Sequence, residues 1–220
     1  MKSIILIAAP AAGKGTEAAI LKEQYGMAHI STGDILREKS KEDSEMGRDI
    51  LNKISNGIFV SDELIIELLK ERIQKDDCAN GYILDGFPRN VAQAESYDSM
   101  LVELNKDLGI AIIIDTDKEI AKARIEGRRS CPKCGRIYNM TFEEMKPKKD
   151  EICDDCGVEL FQRPDDNGDT YEDRYNTYIE KTSPLIEYYE SKGVAYHVDG
   201  SKGKDYTHEQ VEKILGELND

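Results

Sequence analysis

Several protein classes are excluded by what this chain lacks. Basic residues are outnumbered, 30 against 44 acidic ones, and no run of Lys and Arg interrupts a net charge of −14. A surface that acidic repels polyanions, so neither nucleic acid nor anionic membrane is an expected partner. Long apolar stretches are missing too: Ile4 to Ala12 and Ile110 to Ile114 are the longest, far short of the roughly 20 residues a bilayer demands. Only 17 Gly and 6 Pro occur among 220 residues, which excludes collagen-like and mucin-like chains. Histidine is scarce, and His29, His197 and His208 all fall outside the motifs described below. The Met-Lys-Ser start meets a strand-like segment with no cleavage-site pattern, so a cytoplasmic protein is expected. A hydrophobic content of 39% is enough for a real core and excludes disorder.

Apolar runs suited to buried strands (Ser3–Ala8, Met27–Ile30, Tyr82–Asp85, Ile110–Asp115, Val194–Val198) alternate with helical patterns. One such pattern sets Leu64, Ile65, Leu68, Leu69 and Ile73 on one helix face. Thr32-Gly33-Asp34 reads as the cap of a helix opening at Ile35, Gly57 as the end of another, and Tyr171–Ser191 as one long helix before a last one at His208–Leu218. Strands separated by helices predict an α/β fold with a parallel sheet.

Residues 130–162 break this rhythm. They carry two C-x-x-C pairs, Cys131 with Cys134 and Cys153 with Cys156, separated by 18 residues. In a chain without a secretory signal this spacing is a metal-site pattern, with each following Gly letting the turn close on the thiolates. Four thiolates suit structural zinc, with iron as the lesser alternative. A zinc-ribbon nucleic-acid binder is disfavoured by the acidic flank Asp150, Glu151, Asp154, Asp155 and Glu159. Cys78 stands alone.

Three segments carry chemistry. Ala8-Ala9-Pro10-Ala11-Ala12-Gly13-Lys14-Gly15-Thr16 follows the first strand and keeps the G-K-G-T half of a phosphate-cradling loop, with Ala8 in place of its leading Gly. An ordinary strand-to-helix loop with an exposed Lys is the alternative. Asp85-Gly86-Phe87-Pro88-Arg89 puts a carboxylate at a strand's carboxyl end, where open α/β sheets bind ligands and where it can hold magnesium through water. Ser31-Thr32-Gly33-Asp34-Ile35-Leu36-Arg37 is, alone, explicable by capping.

Taken in order with V-S-D-E-L, G-R-R at Gly127 to Arg129, R-P-D-D at Arg163 to Asp166 and V-D-G at Val198 to Gly200, these segments make the whole chain resemble the adenylate kinases, in the long form with a large lid. That resemblance implies a phosphate-loop kinase moving the terminal phosphoryl of ATP to AMP with Mg2+. It also implies a five-stranded core (1–30, 61–126 and 164–220), an acceptor-binding insert (31–60) and a zinc-binding lid (127–163). Lys14 and the backbone of Ala11, Ala12, Gly13, Gly15 and Thr16 would hold the ATP phosphates, with Ile137, Tyr138, Gly200 and Lys202 near its base. Thr32, Arg37, Ile58, Phe59, Val60, Gly86, Phe87, Pro88, Arg89 and Gln93 would hold AMP. Arg124, Arg128, Arg163 and Arg174 would surround the migrating group, and a monomer is implied.

The chain departs from the family pattern at Ala8 and Ala11, where glycines are usual, and at Glu17, where Gln is common. A nucleotide-binding protein with weak turnover is therefore one alternative. A UMP/CMP kinase is another: Gln93 favours AMP because an amide can pair with an adenine edge, while Asn90 points the other way.

Overall fold

The computed structural model describes residues 3–55, 60–163 and 166–218. Strands β1 (Ile4–Ala8), β2 (Ala28–Ser31), β3 (Tyr82–Asp85) and β4 (Ile110–Asp115) join the late strand β7 (Ala195–Asp199) in one parallel sheet of order β2-β3-β1-β4-β7. The other two strands, β5 (Arg128–Ser130) and β6 (Ile137–Asn139), form a separate antiparallel pair. The helices are α1 (Lys14–Tyr25), α2 (Thr32–Lys39), α3 (Glu45–Ser55), α4 (Asp62–Arg72), α5 (Val91–Glu103), α6 (Lys118–Gly127), α7 (Gly168–Thr177), α8 (Pro184–Ser191) and α9 (Lys204–Glu217).

Every residue of β1 is buried because helices cover both faces of the sheet. The two-residue period sends Ile5, Ile7, Leu84 and Ile113 to one side, against Tyr97, Leu101, Leu185 and Tyr189 of α5 and α8. Ile4, Leu6, Ile83 and Ile112 go to the other, against Ala18, Leu21, Val211 and Leu215 of α1 and α9.

Besides one-residue shifts at the ends of β1, β2 and β7, three helix boundaries differ from expectation. Helix α2 opens at Thr32 rather than Ile35, because extended Ser31 (φ −108°, ψ 127°) already takes the N-cap position. Helix α9 opens at Lys204, four residues ahead of His208. The long helix expected over 171–191 is interrupted: α7 gives way to a π turn at Tyr178–Thr182, and α8 restarts at Pro184. Proline has no N–H, and its ring clashes with the carbonyl one turn earlier. The widened turn resolves this by closing Ser183 N–H on Tyr178 O at 2.8 Å. The helix end expected at Gly57 lies outside the described residues.

Candidate functional site

From β1 the chain leaves toward one edge of the sheet, and from β3 toward the other, so their carboxyl ends flank a crevice of the kind that binds ligands in open α/β sheets. Leu6 pairs with Asp85 in register, setting the loop after β1 beside the carboxylate that ends β3. Gly13, with φ +108°, makes the left-handed turn into α1 that a side chain would oppose, and leaves the helix N-terminus open toward the crevice. Lys14 Nζ sits 3.1 Å from Asp85 Oδ1, and His29 Nε2 3.2 Å from Asp85 Oδ2. Burial alone pushes this carboxyl up; the His29 hydrogen bond and the Lys14 ammonium outweigh it and hold the carboxyl at about 2. Asp85 is therefore an anion at any physiological pH.

These groups open into a cavity of about 1100 Å³ whose wall includes 11–16, Asp85, Gly86, Pro88, Ile137 and Gly200. Six arginines line it as well: Arg37, Arg89, Arg124, Arg128, Arg163 and Arg174. In a chain of net charge −14 that concentration of cations marks a polyanion site. Several of the arginines are aimed by neighbours. Arg124 donates to Gly200 O (2.8 Å) and Ser201 O (3.3 Å) and lies over the Phe142 ring. Arg128 grips the fully buried Asp166 with two donors, Nε at 2.8 Å and Nη2 on the other oxygen. Arg89 Nε donates to Gly86 O at 2.8 Å, and its carbonyl accepts from Thr182 Oγ1, in the π turn, at 3.0 Å.

Other expected site residues lie behind the wall. Thr32 is buried with Oγ1 3.5 Å from Gly86 O, Val60 is buried, and Phe87 packs edge-on against Tyr97. The Gln93 amide is already committed, accepting from Arg89 N and donating to Asp62 Oδ1, both at 2.7 Å, rather than facing an open base pocket. Asn90 is explained by capping, since its Oδ1 accepts from Gln93 N at 2.9 Å. Ile58 and Phe59 fall outside the described residues. Lys202 pairs with Asp199 and lies over the Tyr206 ring.

The Tyr138 side chain does not line the cavity. Strand alternation turns Ile137 to the cavity and Tyr138 into the cysteine cluster, where it is 2% exposed. Residues that sequence alone did not single out also join the wall, among them His29, Asn139, Phe142 and Thr207. Only His29 carried a signal, as a titratable group on the strand beside Asp85.

All four cysteine Sγ atoms lie within 4.8 Å of one another, and Cys134 and Cys153 are 3.7 Å apart. Tetrahedral Zn–S bonds of about 2.3 Å put sulfurs about 3.8 Å apart, so the set fits such an ion. Both pairs close the same knuckle: Gly135 N–H bonds Cys131 O (3.0 Å), and Gly157 N–H bonds Cys153 O (2.9 Å). The Tyr138 hydroxyl donates to Cys153 Sγ (3.5 Å), which favours the thiolate, and accepts from Asp154 N (2.8 Å). Burial, then that bond to sulfur, push the phenol up to about 12, so it remains a donor.

A glycine–lysine loop behind the first strand of a five-stranded parallel sheet, facing an arginine-lined cleft, defines the phosphate-loop nucleoside monophosphate kinase fold. The adenylate kinase family model matches residues 6–194. Adenylate kinases of Thermotoga neapolitana (47% identical over 217 residues, 98% of each chain) and Archaeoglobus fulgidus (44% over 216 residues, 98% of this chain and 99% of the other) are similar along nearly their whole length. So is that of Acetivibrio thermocellus, 47% identical over 213 residues, 96% of this chain and 97% of the other. The chain belongs to the adenylate kinase family. Among the described residues, no helix is long and apolar enough to cross a membrane.

Proposed function

We propose that this enzyme moves the terminal phosphoryl of ATP to AMP, giving two ADP, with the residues of one cavity in distinct roles. One observation carries the reading: Lys14, Asp85 and six arginines meet where the carboxyl ends of β1 and β3 open into a single cavity. Phosphoryl transfer has a loose transition state, so positioning and charge neutralisation supply most of the acceleration. An AMP phosphate is already an anionic nucleophile, which is why no general base is required of His29.

The 11–16 backbone and Lys14 hold the ATP phosphates, Lys14 exchanging Asp85 for phosphate oxygens as the nucleotide enters. Arg37 and Arg89 hold the AMP phosphate, and Arg124, Arg128, Arg163 and Arg174 neutralise the group in transit. Thr32, Val60 and Gly86–Arg89 shape the acceptor side; Ile137 and Gly200 flank the donor base. Asp85, kept ionised, is the group that would hold Mg2+ through water, and the ion would supply charge neutralisation between the phosphates. The cysteine cluster holds zinc as a structural ion, since four thiolates leave no position open for water. Reduced cysteines kept as ligands fit the cytoplasm.

Incubation with ATP, magnesium and each of AMP, CMP, UMP and GMP tests the substrate choice: ADP is expected with AMP, and ADP formed with CMP or UMP but not AMP overturns it. Lys14→Met should cut turnover by roughly a hundredfold or more without changing the melting curve. Unchanged turnover would remove this loop from the reaction.

A further inference from the structure

We propose that Glu17 and His208 share one proton that keeps a buried carboxylate beside the phosphate-binding loop neutralised, which makes His208 a positioning residue for ATP; this rests on the kinase reading above. Glu17 stands in the first turn of α1, one residue past the loop, and its N–H bonds Gly13 O at 3.0 Å. Its side chain is 2% exposed, yet it borders the cavity. A bare carboxylate there would pay desolvation and repel the triphosphate.

Its partner comes from α9. His208 sets Nδ1 2.9 Å from Glu17 Oε1 and Nε2 2.6 Å from Gln24 Oε1. The orientation of Gln24 is fixed from its other end, where Nε2 donates to the Glu212 carboxylate. Turning that amide over would set its oxygen against Glu212. His208 Nε2 must therefore carry a hydrogen, and a single further proton closes the contact between Nδ1 and Glu17. On the ring that proton makes an ion pair; on the carboxyl it makes a neutral pair. The pair has no net charge either way.

Burial pushes the Glu17 carboxyl up while the His208 contacts pull it back. Glu212, 3.6 Å from His208 Nε2, and Tyr25 are the other titratable groups bearing on the pair among the described residues. Neither brings positive charge, and Lys14 is turned to Asp85. Loss of the shared proton thus leaves one uncompensated negative charge beside the phosphates.

The test is the ATP dissociation constant of the full chain, measured across pH in the wild type, His208→Ala, Glu17→Gln and the double variant. His208→Ala leaves the Glu17 carboxyl without its counter-charge, so as pH rises and that carboxyl ionises, ATP binding should fall on the order of tenfold below the wild type, with kcat at saturating ATP little altered. Adding Glu17→Gln in that background should restore the affinity. Raising the pH should weaken binding in the wild type more steeply than in Glu17→Gln. Unchanged affinity in His208→Ala at every pH, or a loss that Glu17→Gln does not repair, overturns the pairing. If His208→Ala does not fold, the pH comparison decides alone, and equal slopes overturn it. A wild-type protein with no affinity for ATP at any pH overturns the kinase reading itself, and is thereby told apart from failure of the pair.

Discussion

Ala11 carries φ +61°, in the left-handed region where a Cβ costs about 1–2 kcal/mol. Ala8 ends a regular strand and bears no such strain. Exchanging each for glycine should therefore have opposite effects. Ala11→Gly relieves the strain but loosens the unfolded chain, for a net gain of about 0.5–1 kcal/mol and a melting point a few degrees higher. Ala8→Gly should cost about 0.5–1 kcal/mol. Ala11 also packs against the small cluster of Ala121, Ile125 and Tyr171. A lower melting point for Ala11→Gly would mean that this packing outweighs the backbone strain.

Asp85 supplies a second test at this scale. Its carboxyl lies at about 2 in the folded chain against 3.8 as an ordinary aspartate. The folded state thus favours the ionised form, with a contribution of about 2 kcal/mol. That contribution is complete above the unfolded value and is lost as pH falls through 3.8 toward 2. Melting curves of Asp85→Asn should show a shallower acid limb than the wild type over this interval, and parallel limbs would contradict the assignment.

At the scale of elements, the strands of the sheet, the helices between them and the clustering of the four cysteines were legible because their signals are local: apolar runs, caps, and two short spacings. The phosphate loop and Asp85 were legible for the same reason, each following directly on a strand. What escaped was set by neighbours distant in sequence. Pro184 was visible in the supposed long helix, but the π turn it forces brings Thr182 to Arg89, a contact no periodicity encodes. Tyr138 was placed near a base on resemblance, whereas the pairing of β6 with β5 decides which of Ile137 and Tyr138 faces the cavity. Its hydroxyl instead links Cys153 to Asp154. Partners of this kind orient metal ligands, and losing one typically costs about 10–100-fold in metal affinity. Tyr138→Phe should lose its metal to a competing chelator at correspondingly lower chelator concentration. Equal retention in both proteins would reduce the hydroxyl to packing.

For the molecule as a whole, the parallel sheet and the cysteine-bearing lid are held together by different forces. Two extensive apolar clusters cover the faces of the sheet. The buried cluster of residues 127–163 is Cys131, Tyr138, Cys153 and Leu160, and half of it belongs to the four-cysteine cluster. So small a core cannot offset the entropy of ordering the segment, so the free energy of binding a metal at the four cysteines would become the folding free energy of the proposed lid. Removing the ion should therefore unfold the lid first, splitting or broadening the thermal transition while the sheet still melts cooperatively at higher temperature. Cys153→Ser should act the same way, because it breaks one of the four bonds and leaves three thiolates without a complete site. Turnover should fall as well, because Arg128 and Arg163, which serve the group in transit, lie within the lid, while Lys14, Asp85 and Arg89 stay in place on the sheet side of the cavity. KM for ATP should rise too, since Ile137 and Phe142 line the cavity from the lid side. Elemental analysis of protein purified under reducing conditions, then melting curves with and without a strong chelator, would decide the matter. Stoichiometric zinc with a chelator-sensitive early transition is the expected result, and stoichiometric iron would change only the metal. Neither metal present and no shift on chelation would mean that hydrogen bonds and packing alone hold the lid.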